Sequence, residues 1–190
     1  MKSVYTISKI NLFKLILLFV IVSAPWIVSQ NTQSSSWERD SLILAAHEII
    51  EEARYCALIT LDMDGMPSVR TMDPFTPEEN MVIWMGTHSK SRKVNEIRND
   101  HRVSLYYADP DLAGYVVISG NAILVNDQTE KDKRWKKEWE PFYSENRASY
   151  LLIKVVPNKL EILSYKHNII GNPETWRVPV IDFKTLDYSD

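Results

Sequence analysis

The chain has 190 residues, 45% hydrophobic and 25% charged, with a formal net charge of −3. That balance suits one globular domain, argues against disorder over the whole length and offers no concentrated basic face for duplex nucleic acid, so any anion site is local. Cys56 is the only cysteine, which excludes an intramolecular disulfide and a thiolate metal cluster.

Lys2, Lys9 and Lys14 precede the apolar run Leu15–Ala24, the basic and hydrophobic regions of a secretory signal. Residues 1–29 are therefore expected to be cut after Ser29, leaving a periplasmic or secreted protein. The run falls short of the ~20 residues of a spanning helix, and an uncleaved membrane anchor is the alternative. A polar linker, residues 30–36, follows.

From Ser36 to Arg54, Leu42, Ile43, Ala46, Ile49, Ile50 and Ala53 recur at three- and four-residue steps, which predicts an amphipathic helix with Ser36 as its N-cap. Tyr55–Leu61 and Met66–Met72, joined by a turn carrying Asp64 and Gly65, read as a hairpin. Strands Asn80–Gly86 and Arg102–Ala108 flank a short helix from Ser89 to Asn99, and Gly114–Val125 is a longer strand. Lys131–Phe142 reads as a helix with Trp135 and Trp139 on one face, expected to pack on the barrel; its basic face would favour anionic ligands if it lies near an opening. Tyr150–Val156 and Leu160–Tyr165 supply two more strands. Residues 167–190 are expected as an arm over the domain, anchored by Trp176, with no element of its own. An order of mostly consecutive strands with few places for parallel crossovers points to a mainly β fold with flanking helices, closed as an antiparallel barrel over residues 37–166.

The chemistry concentrates in Thr87-His-Ser-Lys-Ser-Arg-Lys93, which leaves a strand and opens a helix. Lys90, Arg92 and Lys93 fall at the positive end of the helix dipole, each disfavoured there by roughly 0.3–1 kcal/mol. A phosphate would relieve this, receiving backbone N–H groups, the Ser89 or Ser91 hydroxyl and bonds from Lys93 and Arg92. A solvated turn with Arg92 paired to Glu96 four residues on is the competing reading. Arg70, in mid-strand, either joins Lys93 on the same phosphate or is a surface arginine paired with Glu78 or Glu79. His88 beside this loop is read as a capping or exposed residue, with ligand contact or proton donation as the alternative. The four histidines, His47, His88, His101 and His167, stand at no ligand spacing, so no protein-bound metal is expected.

Pro67-Ser-Val-Arg-Thr-Met72, Val82-Ile-Trp-Met-Gly-Thr87, Ser91-Arg-Lys-Val-Asn-Glu-Ile97, Arg102-Val-Ser-Leu-Tyr106 and Val116-Val-Ile-Ser-Gly-Asn-Ala122 resemble, in order and spacing, the pyridoxamine 5′-phosphate oxidase-like flavoproteins, nearest their general stress protein branch. The resemblance spans residues 40–166. It implies a split β-barrel homodimer with flavin mononucleotide (FMN) at the subunit interface. The family's phosphate-binding arginine falls on Arg70, and its serine-basic-lysine motif on Ser91, Arg92 and Lys93. Thr71 and Met72 would lie along the flavin, Trp84 and Met85 in the strand that lines it before Thr87, and Tyr115 at a position that contacts the ring or ribityl chain.

The arginine- and histidine-containing C-terminal motif of the true pyridoxamine phosphate oxidases is missing, with Trp176-Arg177 a remote analogue, so oxidation of vitamin B6 is not expected. Two functions stay open: an FMN-dependent, stress-related oxidoreductase acting on a small organic substrate, and a non-catalytic protein holding flavin, haem or deazaflavin. Fold alone does not choose between them.

Overall fold

The computed structural model describes residues 31–111, 114–143 and 147–183; the expected export segment lies outside them. The chain divides into two compact units, residues 1–41 and 42–190. Of the first, residues 31–41 are helical. Helix α1, Asn31–Ala53, starts ahead of Ser36, which lies inside the helix instead of capping it. No glycine or proline interrupts that stretch, so the expected linker is helical from Asn31. Within the second unit, Leu42, Ala45, Ala46, Ile49 and Ile50 of α1 pack into the hydrophobic core.

Strands β1 (Cys56–Leu61) and β2 (Pro67–Met72) form the expected hairpin. Asp62 shapes its turn by accepting the backbone N–H of Asp64 and of Met66, both at 2.9 Å, and Gly65 supplies a φ of 79° that costs a glycine little. Strand β3, Ile83–His88, begins later than expected, because the chain first turns through Met81 at φ 62° with the Met81 N–H on the Glu78 carbonyl at 2.8 Å. Helix α2 (Arg92–Asn99) and strands β4 (Arg102–Ala108) and β5 (Gly114–Val125) follow.

The single helix expected over 131–142 is broken into α3 (Gln128–Lys133), a 3-10 turn (Lys137–Trp139) and α4 (Glu140–Tyr143). Tertiary partners pull the joint out of helical geometry: Arg134 takes φ −116° and ψ 63° with its carbonyl accepting the Tyr150 hydroxyl. The Lys136 ammonium meanwhile donates to the Asp73 carboxylate and the Pro74 carbonyl, each at 2.8 Å. Where two strands were expected there is one, β6 (Tyr150–Ser164). It absorbs Pro157 and Asn158 by a register shift against Ser119 and Gly120 of β5, the bulge that a proline inside a ladder demands.

The C-terminal arm does contribute an element, β7 (Val180–Asp182), paired to β6. Trp176 does not anchor it: hydrogen bonds to Asn172 close the loop, and the indole is turned out at 87% exposure. Ile181 and Phe183 are buried in its place.

All pairings are antiparallel, in the order β2-β1-β4-β5-β6-β3 with β7 beside β6. The end strands β2 and β3 approach through the bridge Pro74–Met85, where the Phe75 N–H donates to the Trp84 carbonyl at 2.8 Å. The architecture is thus a split antiparallel β-barrel with flanking helices. Alternation along β1, β4 and β5 sends Leu58, Leu105 and Ile118 into the barrel, where they meet Met85, Ile153 and Leu160. α2 packs against β1 and β5 and buries Val94, Glu96 and Ile97.

Candidate functional site

Where β3 runs out, the chain turns through Ser89 and Lys90 into α2, with Ser91 in extended geometry (φ −70°, ψ 147°) at the N-cap. The Ser91 hydroxyl makes no capping bond; it lies 3.0 Å from the Thr87 hydroxyl, which also accepts from the Lys93 ammonium at 3.2 Å. The first-turn N–H groups of a helix have no partner within it. A cavity of about 470 Å³ opens here. Thr87, Ser91 and Lys93 form one end of its wall, Thr71, Met72 and Asp73 at the exit of β2 form a side, and Gly86, His88, Trp139 and Tyr143 complete it.

Arg70 and Arg92 stand beside this group and meet on one carboxylate. Glu96, 2% exposed, accepts from the Thr60 hydroxyl at 2.6 Å and from Arg70 Nη2 at 2.6 Å. Arg92 Nε lies 2.9 Å from its other oxygen, an ion pair without the alignment of a hydrogen bond. Arg70 donates further to Thr60 and to the Leu58 carbonyl. The partner of Arg70 is therefore Glu96 and not Glu78, which takes Arg134 at 2.9 Å and the Trp84 indole N–H at 2.8 Å. The Arg92–Glu96 pair of the competing reading does form, and it leaves Lys93 for the cavity.

Burial alone would raise Glu96, but the Thr60 hydrogen bond and the two guanidinium groups hold it below the ordinary carboxylate value. Lys93 moves the other way: burial first, then the neighbouring Arg70, lower its pKa, and Glu96 opposes them in part. Arg70 and Lys93 are thus close enough to repel, and three cations share one carboxylate.

Of the residues expected at the site, Thr71, Met72, Thr87, Ser91 and Lys93 line one cavity, with Arg70 and Arg92 adjoining through Glu96. Trp84, Met85 and Tyr115 lie elsewhere. The cavity starts one residue further along β3, at Gly86. Met85 points into the core, and the Trp84 ring carries Arg134 at 3.8 Å and Lys154 at 5.3 Å from its centroid. Tyr115 stacks on Tyr106 at 5.9 Å. Sequence reasoning missed Asp73, Gly86 and Tyr143, and gave Glu96 only a surface role; the four-residue step from Trp139 to Tyr143 was a usable signal, whereas the burial of Glu96 had none. Cys56 is buried in β1, and burial pushes its thiol up to about 12.

Solved structures with this fold include General Stress Protein 26 from Bacillus anthracis str. Sterne, 26% identical, matched over 64% of this chain and 93% of that one with a TM-score of 0.56. A protein from Clostridium acetobutylicum related to general stress protein 26 of B. subtilis is 14% identical over 76% of this chain and 96% of its own, TM-score 0.63. A pyridoxamine 5′-phosphate oxidase-related, FMN binding protein from Nostoc punctiforme PCC 73102 is 14% identical over 76% and 94%, TM-score 0.55. No curated protein matches the chain. The model of the family described as pyridoxamine 5′-phosphate oxidase like matches residues 43–170, two thirds of the chain and the whole of the barrel up to the C-terminal arm, and the chain belongs to that family.

Proposed function

We propose that the cavity between β2, β3 and α2 holds FMN, and that the protein is an FMN-dependent oxidoreductase acting on a small organic substrate. The observation that carries the reading is the excess of cations around Glu96, with the Lys93 pKa lowered by burial and by Arg70. A phosphate at the mouth of α2 removes that cost. Lys93, the Ser91 and Thr87 hydroxyls and the first-turn N–H groups would hold it, with Arg70 and Arg92 contributing charge from behind. The family and the FMN-binding relative from Nostoc support the choice of cofactor.

When bound, the flavin supplies hydride and electron transfer, and the protein's part is orientation, polarisation and exclusion of water. Glu96 keeps both guanidinium groups in place, and Thr71 and Met72 border the cavity where β2 ends. Replacing both Arg70 and Lys93 with Ala is expected to release FMN, through loss of the Lys93 charge-assisted bond, worth about 1.5–3 kcal/mol, and of the Arg70 charge behind it. The measurement is flavin content and FMN affinity of the purified double variant. Unchanged affinity would remove the phosphate assignment, and wild-type flavoprotein that NADPH fails to bleach anaerobically would leave binding without turnover by that donor.

A further inference from the structure

Phosphate binding uses Thr87, Ser91 and Lys93; the rest of the lining includes three aromatic rings, those of Trp139, Tyr143 and His88. Its geometry is built into the barrel. A methyl group at Gly86 would sit 2.6 Å from Trp139 Cζ3 and 2.6 Å from Tyr150 Cε2, so the indole rests on the β3 backbone because residue 86 has no side chain. Phe75 at 5.6 Å and Trp135 at 6.3 Å pack on the indole in T-shaped geometry. The Lys136 ammonium stands 5.4 Å from its centroid.

His88 extends the same wall. Its imidazole lies parallel to the Tyr143 ring, 15° apart at 6.4 Å. Its Nδ1 accepts the Lys90 backbone N–H at 3.1 Å. A neutral imidazole accepting at Nδ1 carries its proton on Nε2 and donates there.

We propose that this wall is a subsite for a second ligand, a flat, electron-poor conjugated ring bearing an oxygen acceptor, stacked against Trp139 and Tyr143 and hydrogen-bonded by His88 Nε2. The inference rests on the flavin reading, which gives Thr87, Ser91 and Lys93 to phosphate. Electron-rich indole and phenol faces favour an electron-poor ring beyond what burial alone provides, whereas a saturated ligand gains burial only. Lys93 within the cavity acts against a cationic ligand, since Asp73, the carboxylate in the same lining, is paired with Lys136 at 2.8 Å. Quinone-type diketones have this chemistry.

The test is equilibrium binding with no electron donor present, so that no turnover enters. FMN-loaded protein is titrated calorimetrically with menadione, a flat quinone, and with decalone, a saturated bicyclic ketone of similar size. Menadione is expected to bind the more tightly. Trp139→Leu, which keeps an apolar side chain without a ring, is expected to weaken menadione by about fivefold to tenfold and leave decalone unchanged. Gly86→Ala, which displaces the indole, should reproduce that loss, and His88→Phe, which keeps a ring on Tyr143, should lose the hydrogen bond alone. Equal affinity for the two ketones, or unaltered menadione binding by Trp139→Leu, would overturn the proposal. Loss of FMN from Trp139→Leu would overturn it as well, by giving the indole to the flavin. Wild-type protein that binds no FMN defeats the flavin reading separately, and the same titrations of the flavin-free protein still decide whether the wall selects a flat ring.

Discussion

Glu96 keeps a charge in a place where burial opposes it, and it does so because Thr60, Arg70 and Arg92 surround it. Its folded pKa lies below the ordinary 4.5, so the stabilisation it gives is complete above that value and fades as pH falls through the folded one. Glu96→Gln leaves Arg70 buried without a counter-charge, and is expected to destabilise the protein by roughly 3 kcal/mol at neutral pH. Urea unfolding across pH checks this: the gap between variant and wild type should close in acid, and a gap that persists below the folded pKa would mean that shape and not charge is at stake. Arg92 and Glu96 were visible as a four-residue pair on a helix surface. That the same carboxylate is buried and shared with Arg70 was not visible, because β1, β2 and α2 are brought together only by the barrel.

At the scale of elements, alternation and turn chemistry reported the hairpin and the strands β4 and β5 well, since each is decided by neighbours in sequence. The joints were less legible. Pro157 suggested a break between two strands, yet β6 runs through it because the ladder to β5 and the pairing to β7 outweigh one missing donor. The bulge that allows this sits opposite Gly120, where an added Cβ would lie 2.2 Å from the Val156 carbonyl oxygen. Gly120→Ala is therefore expected to cost about 2 kcal/mol by forcing the two backbones apart. Thermal unfolding measures it, and a melting temperature equal to wild type would show that the bulge yields freely. The helix expected over 131–142 failed for a related reason: Trp135 and Trp139 do share the aromatic cluster, but Tyr150 claims the Arg134 carbonyl, and Asp73 and Pro74 claim the Lys136 ammonium.

For the whole molecule, the barrel core is completed by the chain's last described strand, and the aromatic residue that looked like its anchor is a solvent-facing loop tip. Phe183→Ala should cost about 3 kcal/mol by opening a cavity in the core, while Trp176→Ala should stay within about 0.5 kcal/mol of wild type. Paired denaturation curves test the contrast, and a larger loss at Trp176 would reverse the assignment. The sequence by itself determined the strand-rich class, the family and the basic motif at the mouth of α2, because periodicity, turn residues and a helix start are local properties carried by adjacent residues. Only the tertiary structure decided which carboxylate holds the arginines, that Trp139 and Tyr143 face the same cavity as Lys93, and which C-terminal side chains enter the core. Those depend on contacts between segments far apart in the chain, whose energies no stretch of sequence contains alone.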